Sequence, residues 1–224
     1  MWYLLPIFLF LFLFLLFLYP KPAKSHRPRI FIPGSSAGQE RFNYTIWRLG
    51  GRDPIKLTVH PDGYFDLKGS SPNFIVIGFK DNRDRLESIE AAALQLTTLL
   101  PELQRRFHFD SYDAVGHSNG GLIWLRLVHQ LVNTPMKSLT TLASPYQLDG
   151  LPQVGVVDQI SMRSYHIAGA HDLLVPVREV ESGRRFFMDE SYHFKLLKGP
   201  MTGHSSLPQH PLVIKHLKEL AADN

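Results

Sequence analysis

The 224-residue sequence contains no cysteine. Disulfides, thiolate zinc centres and a cysteine nucleophile are therefore excluded. No repeat of fixed period is present, which argues against solenoid and propeller architectures. Eleven histidines occur without an H-E-x-x-H pair, so neither a metal nor a cofactor is expected. Charge of one sign is also scarce. Twenty-four Lys and Arg against twenty Asp and Glu leave a net +4. The positive residues are scattered except just after an N-terminal hydrophobic run, which does not suit nucleic-acid binding.

That run, Trp2 to Tyr19, has no acidic or basic residue and is dominated by Leu, Phe and Ile. As a helix it spans about 27 Å, close to a bilayer core. Trp2, Tyr3 and Tyr19 stand at its ends, where interfacial aromatics belong. The charged start of a signal peptide is missing, and no small-residue cleavage site follows. Residues 1–19 therefore read as a transmembrane anchor or uncleaved signal, residues 20–28 as a linker, and residues 29–224 as one domain. Lys21, Lys24, Arg27 and Arg29 flank the run on its C-terminal side. By the positive-inside rule they would hold that side in the cytoplasm.

The domain is organised around Tyr112-Asp113-Ala114-Val115-Gly116-His117-Ser118-Asn119-Gly120-Gly121-Leu122. A β-prone run enters Gly-His-Ser-Asn-Gly and a helix-prone run, Leu122 to Leu131, leaves it. This is the G-x-S-x-G nucleophile elbow in strand–turn–helix context. A serine on so tight a turn crowds its neighbours two positions away, so glycine is required at 116 and 120. The turn lifts the Ser118 hydroxyl clear of the sheet, and the Asn119 N–H at a helix N-terminus faces a developing oxyanion.

A serine hydroxyl needs a base, and the base an orienting acid. In this architecture they follow in the order Ser, acid, His. Asp172 comes just after the strand-like Ser164–Gly169 and before a Val175-Pro176 turn. His204 ends the loop after the last strand, Tyr192–Leu197. Of the other candidates, His117 reads as a packing residue. His171 could compete for the acid, and His210 is a fallback base expected to face solvent. Asp149, Asp158 and Asp189 are rival acids without the strand and turn that single out Asp172.

The remaining chain alternates strands and helices. Arg29–Ile32 is a buried strand leading into a Gly-rich loop whose Ser35 N–H is the candidate second oxyanion donor. Phe42–Leu49 reads as a helix, Lys56–Leu67 as a hairpin around Pro-Asp-Gly, and Asn73–Gly78 as a strand. Leu86, Ile89, Ala93, Leu96, Leu100 and Leu103 form one face of a helix over Arg83–Arg106, expected to break or kink at Pro101. Ser138–Leu142 is a strand, Ser144–Gly155 a loop over the site, and Leu212–Leu220 a closing helix behind Pro211. Phe42, Trp47 and Tyr146 are read as core aromatics that could also line an acyl pocket. The pattern predicts an α/β fold with a mainly parallel sheet, helices on both faces, a small edge hairpin and a minimal lid.

Ile30-Phe31-Ile32-Pro33-Gly34, Leu57–Leu67, Phe79-Lys80-Asp81-Asn82-Arg83, Val115–Leu122, Leu142-Ala143-Ser144-Pro145, Asp172–Pro176 and His204-Ser205-Ser206-Leu207 together resemble one group. It is a family of Gram-positive bacterial α/β-hydrolases assigned to the cell surface, a domain of unknown function. The resemblance covers nearly all of residues 29–220. It implies an α/β-hydrolase fold with the triad Ser118, Asp172 and His204, and an exported, membrane-tethered domain, in conflict with the flanking charges. Three positions depart from it. Pro33 replaces a histidine, Asn119 a commoner methionine, and Leu207-Pro208-Gln209-His210 a Leu-His-Glu-Asn run.

The expected protein is a serine hydrolase at a membrane surface, acting on a small acyl ester or lipid. A peptidase, a thioesterase or a catalytically silent binding module would share these features.

Overall fold

A computed structural model describes residues 27–130, 135–147 and 160–222. The anchor expected over residues 1–19 lies outside them. So do the loop expected over the site beyond Gln147 and the rival acids Asp149 and Asp158. Among the described residues no helix is long and apolar enough to cross a membrane.

In chain order the elements are β1 (Arg29–Ile32), α1 (Asn43–Arg48), β2 (Pro54–Val59), β3 (Phe65–Lys68), β4 (Ser71–Phe79), α2 (Leu86–Phe107), β5 (Tyr112–His117), α3 (Asn119–Gln130), β6 (Met136–Leu142), β7 (Ser164–Gly169), α4 (Val177–Glu181), β8 (Tyr192–Leu197) and α5 (Pro211–Ala222). Eight strands make one sheet in the order β3-β2-β4-β1-β5-β6-β7-β8. Among the described strands only the β2–β3 pair is antiparallel. The hairpin thus forms one edge, as its Pro-Asp-Gly turn predicts, but β2 is also drawn into the parallel sheet beside β4.

The strands read as continuous apolar runs because both faces are covered. Ile30, Ile32, Ile75, Ile77 and Ala114 pack toward one side with Leu96, Leu103, Leu122 and Trp124 of α2 and α3. The alternate residues Phe31, Phe74, Val76 and Val115 pack toward the other with Ile46 of α1 and Val213 and Leu217 of α5. A one-residue slip in any of these strands would exchange its two apolar sets between unlike layers, so the register is firmly set.

Helix α2 runs from Leu86 to Phe107 with Pro101 inside it, so the break expected there does not occur. Pro101 lies on the exposed side, while Leu99, Leu100 and Leu103 are buried. Proline costs a helix interior about 3 kcal/mol, and burying three leucines recovers more than that at roughly 1.5–3 kcal/mol each.

His166 and His117 are the most deeply buried histidines among the described residues. His166 is fully buried, contacting Thr141 Oγ1 at 2.8 Å and the Tyr146 hydroxyl at 3.0 Å through Nδ1. Its ring stacks on Tyr192. Burial pushes His166 down from 6.5 to about 3, and His117 to about 3 for the same reason. Both stay neutral in the fold, whereas in the unfolded chain they take up a proton near pH 6.5. Between those values the unfolded state binds more protons, so stability falls as pH drops below about 6.5. The unfolding midpoint measured from pH 7.5 to 4.5 should therefore fall on the acid side. His166→Phe should make the fall shallower by one proton, about 1.4 kcal/mol per pH unit. A midpoint independent of pH would contradict neutral burial.

Candidate active site

Ser118 follows the last residue of β5 and precedes the first of α3. Its φ of 54° lies in the left-handed region, which costs a non-glycine residue on the order of 1–3 kcal/mol. Three backbone bonds offset it. Ser118 N–H donates to Leu142 O at 2.8 Å, and Ser118 O accepts from Gly121 N–H at 3.0 Å and from Ser144 Oγ at 2.8 Å. A Cβ at Gly116 would lie 2.4 Å from Gly121 N, and one at Gly120 2.1 Å from Ile32 O. Both glycines are required by close approach, as the motif predicts.

Two loops at the same edge of the sheet bring Asp172 and His204 together. His204 Nδ1 lies 2.8 Å from Asp172 Oδ2. The other carboxylate oxygen accepts the N–H groups of Leu174 and Val175, each at 2.9 Å. Burial raises the Asp172 pKa, but the His204 bond and those two N–H groups outweigh it and hold the group below the usual carboxylate value. The same turn throws Leu173 and Leu174 outward, 93% and 73% exposed. His117 is buried against His204, with ring centroids 4.7 Å apart and Nε2 3.0 Å from the His204 carbonyl oxygen. Among the described residues no hydrogen bond joins Ser118 to His204. Such contacts commonly tighten only when substrate binds.

The loop after β1 closes on the nucleophile. A Cβ at Gly34 would lie 2.6 Å from Ser118 Cβ, so only glycine lets the Gly34-Ser35 backbone come this near. Asn119 begins α3 and is buried. Its side chain donates to Ser35 Oγ at 2.6 Å and to Asp84 Oδ1 at 2.7 Å. A small pocket beside this pair is lined by Pro33, Ala37, Ile77, Phe79, Ile89 and Ile123, among others.

Residues 19–160 match the family described as alpha/beta hydrolase of unknown function (DUF915). The chain belongs to this family. A candidate cell surface hydrolase of Lactobacillus plantarum is 30% identical, with a TM-score of 0.71 over 90% of this chain and 94% of that one. A gene product of Listeria innocua is 20% identical with the same TM-score, over 86% and 92%. At 14% identity, an alpha-beta serine hydrolase homologue from Coxiella burnetii shares the fold, with a TM-score of 0.55 over 92% and 88%. No curated protein matches the sequence. The chain is thus a member of an alpha/beta hydrolase family of unknown function, and the family match ends before Asp172 and His204.

The other residues singled out from the sequence fall elsewhere. In this DUF915 chain His171 turns from the acid to Gly199 O and Thr202 Oγ1. Asp189 pairs with Arg184 at the opposite end of the last strand. His210 does not face solvent. It is 8% exposed, and its Nδ1 accepts the Leu212 N–H at 3.1 Å, closing the entry to α5. The departing Leu207-Pro208-Gln209 run forms a buried 3-10 turn whose Pro208 carbonyl accepts from Thr45, bracing the loop that carries His204. Phe42 and Tyr146 are fully buried, and Trp47 is 38% exposed. None of the three lines the pocket beside Ser35.

Two contributors escaped the sequence reading. Ser144 supports the elbow from the Leu142-Ala143-Ser144-Pro145 run, where Ala143 at φ 51° turns the serine back toward Ser118. The elbow motif gives Asn119 a role only through its backbone N–H, yet its side chain is a hub.

Proposed function

We propose that this hydrolase cleaves carboxylic esters through an acyl-enzyme on Ser118. The observation that carries the reading is Ser118 itself, a serine held at positive φ between β5 and the N-terminus of α3. A protein keeps such a backbone only where the surroundings compel it, and such strain gathers at functional sites. The hydrogen-bonded His204–Asp172 pair at the same edge supports the assignment of base and orienting acid.

In the proposed sequence Ser118 Oγ attacks the carbonyl carbon as its proton passes to His204 Nε2. Asp172 Oδ2 accepts the Nδ1–H, fixing the tautomer and stabilising the imidazolium. The N–H groups of Asn119 and Ser35 hold the oxyanion. Collapse expels the alcohol, which takes the proton from His204. Water then repeats the steps in reverse and releases the acid. His117, kept neutral by burial, braces the His204 carbonyl without repelling the cation that forms beside it. The outward Leu173 and Leu174, together with half-exposed Met201, favour a substrate carrying hydrocarbon near the carbonyl.

The apolar run Trp2–Tyr19 is proposed to anchor the domain in a membrane, on the cell-surface side that the Lactobacillus plantarum relative's description favours. The described chain enters at Arg27, whose guanidinium pairs with Asp113 at 2.9 Å near the start of β5. Ser118 lies past the other end of that strand, about 17 Å from Asp113 at 3.3 Å per residue.

Hydrolysis of p-nitrophenyl esters of rising chain length tests the chemistry. Ser118→Ala should abolish turnover with little change in thermal unfolding. Asp172→Asn should lower kcat by about 10⁴, because an amide stabilises the wrong imidazole tautomer. A Ser118→Ala protein within tenfold of wild type would remove it as nucleophile, and an Asp172→Asn loss below tenfold would remove that acid. For the anchor, the full chain should partition into the membrane fraction and residues 27–224 into the supernatant. Equal partitioning of the two would refute it.

A further inference from the structure

The Asn119 side chain joins the loops that follow β1 and β4, two neighbouring strands of the sheet. Its amide donates one hydrogen to Ser35 Oγ at 2.6 Å and the other to Asp84 Oδ1 at 2.7 Å. A carboxylate can only accept here, which fixes the orientation of the amide. The hub is inside the protein, Asn119 being 4% exposed, whereas Asp84 is exposed and Ser35 half-buried. Both hydrogen bonds are short, and the one to Asp84 is charge-assisted, the stronger class.

The two loops are also zipped to each other. Ser36 N–H donates to Asn82 O at 3.3 Å, and the Asn82 amide donates to Ala37 O at 3.3 Å. Asp81 stiffens the second loop, accepting a bidentate pair from Arg83 at 2.7 and 2.8 Å and the Ser88 hydroxyl at 3.0 Å. The hydrogen bonds from Arg83 hold the Asp81 carboxyl well below the usual range, so this brace persists in mild acid. Ser36 sits at φ 55°, a strained turn that needs such outside support. The first loop closes its own turn through Ala37 N–H to Gly34 O at 3.2 Å and is held from outside by Asn82 and by Asn119. Asn119 is the contact that ties it to the elbow, where a Cβ on Gly34 would meet Ser118.

We infer that the Asn119 side chain is a positioning residue, which locks the Ser35 N–H into register with the Asn119 N–H so that the two form one oxyanion site. The inference rests on the serine-hydrolase reading above. It explains how a chain with proline at position 33 keeps its second donor in place: the loop is fixed from the nucleophile side, through residue 119. Methionine there could fill the space but could not donate. An oxyanion donor is worth most when its position is set before charge develops, so the lock acts on the transition state rather than on the bound substrate.

The test compares Asn119→Leu, Ser35→Ala, Asp84→Ala and Asp84→Asn in the full-length protein. p-Nitrophenyl acetate serves as substrate and a fluorophosphonate as a tetrahedral probe of the oxyanion site. Asn119→Leu should lower kcat by about 30-fold, somewhat less than deleting a donor outright. KM should stay within about twofold, and the rate of phosphonylation should fall in parallel. Ser35→Ala added to Asn119→Leu should cost little more, since both break one contact. Asp84→Ala should lose about fivefold in kcat, and Asp84→Asn, which keeps an acceptor, should recover most of it. A kcat within threefold of wild type in Asn119→Leu, or a change in KM alone, overturns the inference. Should Asn119→Leu not fold, wild-type kcat in both Ser35→Ala and Asp84→Ala overturns it equally. If the wild-type protein takes up no fluorophosphonate, the hydrolase reading itself fails. If Ser118 is labelled and the Asn119→Leu protein is labelled at the same rate, only the inference fails.

Discussion

The backbone of Ser118 is the constraint on which the rest of the site depends. An L-residue at φ 54° persists only if its neighbours allow no relaxed alternative. Here they remove every side chain in the way. Positions 116, 120 and 34 admit no Cβ, so strand β5 closes on the start of α3, α3 on the end of β1, and the loop after β1 on Ser118 itself. Hydrogen bonds from Ser118 N–H to Leu142 and from Ser144 Oγ to Ser118 O then fasten it. The sheet supplies the rigidity for this. β5 is buried over all six residues and paired on both sides, with β1 and with β6.

Around that fixed point the polar groups are arranged by burial and pairing. Asp172 stays ionised because three donors, His204 among them, outweigh its desolvation. His117 stays neutral because desolvation dominates there, which leaves a cation to form on only one of two adjoining rings. Asn119 extends the same logic to the loop that faces the nucleophile, joining Ser35 and Asp84 through a single amide. Each group is held by a partner from another part of the chain, so the site is assembled by the tertiary fold and not by any one segment.

Much of this was legible in the residues. The Gly-His-Ser-Asn-Gly stretch announces its own geometry, because only a tight strand-to-helix turn needs glycines on both sides of a serine. The continuous apolar runs at β1, β4 and β5 point to a doubly covered parallel sheet, and the Pro-Asp-Gly turn marks the hairpin. Asp172 stood out by the turn that follows it, whose N–H groups do bind the carboxylate. What stayed hidden depended on distance in sequence. Nothing local tells that Asn119 reaches Asp84, thirty-five positions away, or that His210 folds inward to accept the Leu212 N–H. Pro101 misled because helix propensity is local, whereas the leucines that keep α2 intact are held by the sheet beneath it.

The central claim is that Ser118 is a working nucleophile, and covalent capture tests it most directly. Full-length protein treated with a fluorophosphonate should gain the mass of one phosphonyl group by intact-protein mass spectrometry. Fragmentation should place that group on Ser118, with none taken up by Ser118→Ala. No adduct, or an adduct on another residue that persists in Ser118→Ala, would contradict the account.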